Sequence, residues 1–203
     1  MNELEGRLSR PLPAELDREA TMARLREAAA HAGLLDVAYA TLDSPLGSLL
    51  VAVTPHGLVR LAYENEGSEE LVLVELAERV SPRVLHAPAR TDAVRRELEE
   101  YFRGERRSFA TPVDWSLVRG FAHGVLRATA RVPFGQVTSY RQVAEEAGSP
   151  RASRAAGNAL GSNPIPIVVP CHRVLHSGGG LGGYAGGLER KRYLLTLEGV
   201  LSA

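Results

Sequence analysis

The chain has 203 residues, room for one large domain or two small ones, and its 44% hydrophobic and 24% charged content is that of a globular protein whose core needs no staples. A single cysteine excludes an intrachain disulfide and a four-cysteine zinc module, and with six mostly scattered histidines no structural metal is expected. A formal net charge of zero argues against a nucleic-acid partner only until it is divided: residues 1–116 hold 14 arginines against 20 carboxylates, and residues 117–203 hold 10 basic groups against 4. The basic second half has the electrostatic footprint of a phosphate-backbone binder. Two halves held together by opposite charge account for the same numbers.

The first 30 residues lack an apolar core followed by a cleavage site, so they are not read as a secretory signal. No run approaches the roughly 18 apolar residues of a membrane span. The expectation is a cytoplasmic protein without membrane attachment, in a compartment that keeps a free thiol reduced. Residues 14–32, between Pro13 and Gly33, are predicted helical and make residues 1–35 an N-terminal extension, a packing helix or a tail. Three predicted strands follow at 37–41, 48–53 and 58–63, rich in β-branched and aromatic residues and separated by the turn sequences DSPLG and TPHG. Ser68 opens a predicted helix over 68–80, and a short strand is predicted at 83–87. Thr91 opens another helix over 91–104, with Val94, Leu98, Tyr101 and Phe102 on one side. These elements predict an α/β domain over residues 36–116.

The remainder, residues 117–203, reads as mainly helical. A helix is predicted over 119–132, with Phe121, Val125, Leu126 and Ala128 apolar, and Pro133-Phe134-Gly135 breaks it. A second helix, over 138–148, is capped by Thr138 or Ser139. After a turn at Ser149-Pro150, a third runs over 151–163, rich in small residues and carrying Arg151 and Arg154. Two short helices about a tight turn resemble a helix-turn-helix. Close helix packing within the domain explains the small residues equally well.

Residues 163–174 read NPIPIVVPCHRV. Three prolines are expected to hold this apolar, buried run extended, with Cys171 at its end and His172 directly after. A lone buried cysteine is ordinarily a small hydrophobe. Here the neighbouring imidazole offers a base for the thiol, and a carboxylate on its far nitrogen would orient it. Adjacent side chains on a regular strand point apart, so Cys171 and His172 cooperate only at an irregular turn or through a water. The loop that follows contains Gly178, Gly180 and Gly183 in the spacing of a dinucleotide fingerprint, but the 20 residues after Gly183 are too few for the helix, strand and acidic residue that motif requires. A glycine loop beside a nucleophile suits the wall of a pocket for a flat ligand. A last helix is predicted over 188–197, with Glu198 near its end.

Taken together, Asn163-Pro164-Ile165-Pro166, Pro170-Cys171-His172-Arg173-Val174, Gly183-Tyr184-Ala185-Gly186-Gly187, Leu194-Leu195 and Glu198-Gly199 resemble the O6-alkylguanine-DNA alkyltransferases. The resemblance spans residues 37–200 and is strongest over 132–200. It implies an α/β N-terminal domain with a ribonuclease-H-like sheet, and a mainly α C-terminal domain that carries a helix-turn-helix and the active site. It also implies a monomer without cofactors that enters the minor groove of double-stranded DNA and flips out an alkylated guanine. Cys171 then matches the alkyl acceptor, His172 the water-mediated base and Glu198 the carboxylate that orients it. Asn163 matches the brace of the turn before the active-site segment. Tyr140 matches the tyrosine that assists flipping and donates to the guanine ring, and Arg154 the finger that fills the vacated stack. Arg151 and Ser139 fall on the DNA-facing helix pair. The backbone carbonyls of Cys171 and Val174 and the N–H of Ala185 match contacts to the base, within a pocket that includes Tyr184 and Gly186. Some members have serine where this chain has Ala185, so the side-chain hydroxyl is absent here and the backbone contact is the one implied. The cysteines that hold zinc in some N-terminal domains are absent, and the lesion-binding relatives that lack a cysteine usually carry tryptophan at the position of Cys171.

Overall fold

The computed structural model describes residues 35–64 and 68–202 and a few isolated positions before them, so the helix expected over 14–32 lies outside the described residues. Strands β1 (Val37–Ser44), β2 (Gly47–Thr54) and β3 (Gly57–Tyr63) form an antiparallel meander through two tight hairpins. A short β4 (Val84–His86) adds in parallel to β1, giving the order β3-β2-β1-β4. The central β2 is buried from Leu49 to Val53, which is why it reads as a continuous apolar run rather than an alternating one. On one face Val37, Leu50, Ala52, Val59 and Ala62 pack against Val72 and Leu76 of helix α1 (Glu69–Arg79) and against Leu117. Ser68 caps α1 by accepting from the Leu71 N–H, and Glu69 and Glu70 complement the helix dipole.

Helix α2 (Pro88–Phe102) lies against β1 and β2. It begins three residues before the expected Thr91, because proline with its fixed φ occupies the first turn without losing a needed donor. Thr91 instead bonds the Pro88 carbonyl from inside the helix. The outer edge of β3 is covered by the chain itself. Leu58 pairs with the segment at Pro112 and Asp114, and the Leu61 N–H donates to the Pro164 carbonyl at 2.9 Å. That covering removes an exposed strand edge and ties the sheet to the segment that leads to Cys171.

The helical half contains α3 (Gly120–Ala130), α4 (Tyr140–Glu146) and α5 (Ser153–Gly161), packed on one another, and a terminal α6 (Leu188–Leu197). Ser139 is the cap of α4 in a full capping box with Gln142. Ser149 and Gly148 close its far end on the Ala144 and Glu145 carbonyls. Helix α5 starts only at Ser153, so Arg151 sits in the turn rather than on the helix as expected; Pro150 and the turn hydrogen bond from Ala152 to Ser149 delay the start. Small residues do serve close packing at one point, where Gly124 of α3 abuts Ala147. A two-residue parallel pair, β5 (Thr138–Ser139) with β6 (Val174–Leu175), pins the start of α4 beside the chain just after Cys171-His172-Arg173. No described helix is long and apolar enough to cross a membrane.

Candidate active site

The segment before Cys171 is not extended as the prolines suggested. Its buried backbone groups need partners, and the proline φ suits a turn as well as a strand. The Val169 N–H turns back to Ile165 at 2.9 Å, the Val168 N–H to Pro166 at 2.8 Å, and the Cys171 N–H to Val169 at 2.8 Å. The last two close γ-turns, one centred on Pro170 (φ −82°, ψ 64°) and one on Ile167, whose φ of 71° is unusual for a β-branched residue. That strained backbone is held by the full burial of Ile165, Ile167 and Val169. Asn163 braces the coil from within. Its Nδ2 donates to the Val169 carbonyl at 2.8 Å and to Cys171 Sγ at 3.1 Å, and its Oδ1 accepts from the Ile165 N–H at 3.0 Å.

Cys171, His172 and Arg173 then form one 3-10 turn, the irregular geometry that lets neighbouring side chains serve one site. His172 is wholly buried, with Nε2 2.9 Å from Glu198 Oε1. Arg173 holds both oxygens of the same carboxylate, from Nε at 2.8 Å and Nη2 at 2.8 Å, and reaches the Val132 carbonyl with Nη1. Tyr101 of α2 donates to Glu198 Oε1 at 2.7 Å. Burial works against the Glu198 charge, but the hydrogen bonds from His172 and Arg173 outweigh it and hold the carboxyl down at about 2. An ionised carboxylate only accepts, so His172 Nε2 carries the hydrogen and Nδ1 carries the lone pair. Nδ1 is buried and has no hydrogen-bond partner among the described residues, and burial pushes the imidazole below its ordinary value against the pull of Glu198.

Cys171 opens onto a cavity of about 620 Å³. Tyr140, Arg154, Gly157, Tyr184 and Ala185 share its wall. The Tyr140 ring leans on His176 at 5.1 Å, and its hydroxyl faces the loop at Gly182 and Gly183. Burial and the nearby Cys171 hold the Tyr140 phenol above its ordinary value, so it keeps its proton. Tyr184 bonds the Tyr63 hydroxyl across the two halves at 2.8 Å, and Gly186 lies so close to both rings that a Cβ would sit 2.7 Å from Tyr63.

The cavity wall thus brings together Cys171, Tyr140, Arg154, Tyr184 and Ala185 of the residues singled out in the sequence. His172, Glu198 and Asn163 stand behind Cys171. Ser139 spends its hydroxyl on the α4 cap, Arg151 is exposed in the turn, and the Val174 carbonyl accepts from Lys191 Nζ at 2.7 Å. Gly186 is buried behind the wall, with its carbonyl taken by Arg190 at 2.9 Å.

Family models for the 6-O-methylguanine DNA methyltransferase ribonuclease-like domain and DNA-binding domain match residues 37–115 and 120–200. The chain is 41% identical to the methylated-DNA–protein-cysteine methyltransferase of Mycolicibacterium paratuberculosis, over 80% of this chain and 92% of that one. The chain belongs to the 6-O-methylguanine DNA methyltransferase family. Among solved structures, the Mycobacterium tuberculosis O6-methylguanine methyltransferase superposes with a TM-score of 0.68 at 36% identity, covering 82% of this chain and 95% of that one. The M. tuberculosis OGT in complex with DNA gives 0.66 at 37% identity, covering 79% and 92%.

Several residues of this family member's site escaped the sequence reading. Tyr101 looked like one more apolar position of a helix face, and Arg173 stood in the motif with no role assigned to it. Lys191 lies on α6 with no visible distinction, yet it is fully buried, and its Nζ gathers the carbonyls of Val174, Leu181 and Gly183. Burial pushes its ammonium down to about 8, with Cys171 pulling it back up. His172 and His176 are four residues apart, a spacing that on a helix would suit a metal, but one ring faces Glu198 and the other Tyr140.

Proposed function

We propose that this protein repairs O6-alkylated guanine in duplex DNA by moving the alkyl group irreversibly onto Cys171, one lesion per molecule. The observation that carries the reading is the placement of Cys171 Sγ. It sits at the wall of a cavity of about 620 Å³ that can admit a base, in contact with the Asn163 amide and next in the chain to an imidazole whose Nε2 is taken by an ionised carboxylate.

His172 Nδ1 takes the thiol proton across one water, and the Asn163 donor and the Lys191 charge stabilise the thiolate that remains. The thiolate attacks the alkyl carbon in line. An S–C bond forms, the C–O6 bond breaks, and its electron pair stays on the guanine, where a hydrogen bond or proton from Tyr140 meets the developing charge. With one cysteine in the chain, no second thiol takes the group onward, and the thioether persists. The α4–α5 pair acts as a helix-turn-helix set in the minor groove, Arg154 fills the stack left by the flipped base, and the protein works as a monomer. Arg151 and Ser139 face the DNA backbone, and Val174, Ala185, Tyr184 and Gly186 shape the base pocket. The mixed sheet over residues 36–116 is ribonuclease-H-like. A cytoplasmic setting keeps Cys171 reduced.

Incubation with duplex DNA carrying O6-methylguanine, followed by intact-mass measurement, is expected to add one methylene equivalent per protein, and Cys171→Ala to add none. DNA binding without a mass change would make this a lesion binder. Lesion loss over many turnovers without an adduct would make it a hydrolase.

A further inference from the structure

Glu198 Oε1 is the oxygen that orients His172, and it has a donor from the other half of the molecule. Tyr101 lies 97 residues before Glu198 in the chain, on α2, and its hydroxyl reaches Oε1 at 2.7 Å in a fully buried position. Packing alone does not ask for that hydroxyl. The ring sits among Phe102, Phe109 and Phe134, with centroids 5.5, 5.5 and 6.2 Å away, surroundings that a phenylalanine would fill equally well. A buried hydroxyl is costly unless bonded, and this one is bonded to the single atom shared with the imidazole. Burial and the adjacent carboxylate keep its proton in place.

We propose that Tyr101 is a positioning residue for alkyl transfer: its hydroxyl fixes the Oε1 that His172 uses and draws off part of that oxygen's charge, so the sheet domain sets how firmly His172 holds the proton of Cys171. This rests on the reading of Cys171 as acceptor and His172 as base. The other charged and titratable groups around the pair are Arg173 on both carboxylate oxygens, Lys191 from α6, Cys171 on the same turn, and Tyr63 and Tyr184 beside the rings. All of them remain when the Tyr101 hydroxyl is removed.

The direction follows from charge. Without the Tyr101 donor, Oε1 is more negative and stabilises the imidazolium more, so the thiolate–imidazolium pair forms at lower pH. The experiment is the single-turnover rate of methyl transfer from O6-methylguanine duplex to the full chain across pH, with the adduct located by peptide mass. Tyr101→Phe is expected to move the acid limb down by about half a pH unit. A 3-fluorotyrosine at position 101, a stronger donor that keeps the ring and the hydroxyl, is expected to move it up, which keeps the test decisive even where Tyr101→Phe folds poorly. Limbs that superimpose on the wild type for a folded variant overturn the proposal and leave Cys171 as the acceptor. A wild-type chain that gains no adduct at Cys171 overturns both.

Discussion

Glu198 carries its charge at the C-terminus of α6, the end of a helix where the dipole opposes an anion. Three side chains and the Gly135 N–H nonetheless converge on it, and Gly199, in the left-handed conformation (φ 74°), ends the helix so that the carboxylate turns inward. The sign of its pH dependence follows. The folded-state pKa is lowered to about 2 from 4.5, so the stability it contributes is complete above 4.5 and is lost as pH falls toward 2. Glu198→Gln is expected to lower the unfolding midpoint at neutral pH, with the gap to the wild type narrowing below pH 4.5. Urea titrations at stepped pH measure this, and a constant gap across that window would show that the ionised carboxylate is not what the fold uses. Glu198 and His172 were legible in the sequence through a motif. Arg173 stood in the same motif without a role, and Tyr101 lay outside it, because a buried phenol in a helix face looks like any core aromatic until its hydroxyl has a partner.

At the scale of elements, two irregular pieces make the site: the coil over 163–174 and the glycine loop over 177–187. Each is held by one side chain that reaches backbone groups, Asn163 in the first and Lys191 in the second. Glycine is required at Gly182, where φ is 69° and a Cβ would sit 2.5 Å from the Tyr140 hydroxyl. Gly182→Ala is therefore expected to displace Tyr140, slow alkyl transfer at least tenfold and cost about 1 kcal/mol of stability. Single-turnover rates and urea midpoints check both, and an unchanged rate would remove Tyr140 from the reaction. The regular elements were readable from β-branched runs, turn sequences and caps. The coil before Cys171 was misread as extended because proline limits φ and leaves ψ open, and only the burial of Ile165, Ile167 and Val169 selects the turns.

At the scale of the molecule, charge and chemistry are divided differently. The net positive charge lies in residues 117–203, yet Glu198 is approached by Tyr101 and Tyr184 of the cavity wall by Tyr63, both from the acidic half. DNA affinity is expected to fall steeply with salt, as for any contact dominated by phosphates. Arg154→Ala is expected to slow transfer from duplex DNA several-fold while leaving the salt slope unchanged, since a side chain in the base stack neutralises no phosphate. Binding titrations across salt with wild type and variant test this, and a slope reduced by about 1 would make Arg154 a phosphate contact instead.

By itself the sequence determined the order of the main strands and helices, the basic second half, the candidate cysteine and the family it belongs to, because periodicity, turn chemistry and a dense motif are local properties of the chain. Tertiary structure decided which tautomer His172 adopts, which donors hold Glu198, how the proline segment folds and why a lysine is buried beside a thiol. These depend on groups tens of residues apart meeting in a low-dielectric interior, where each polar atom must find a partner.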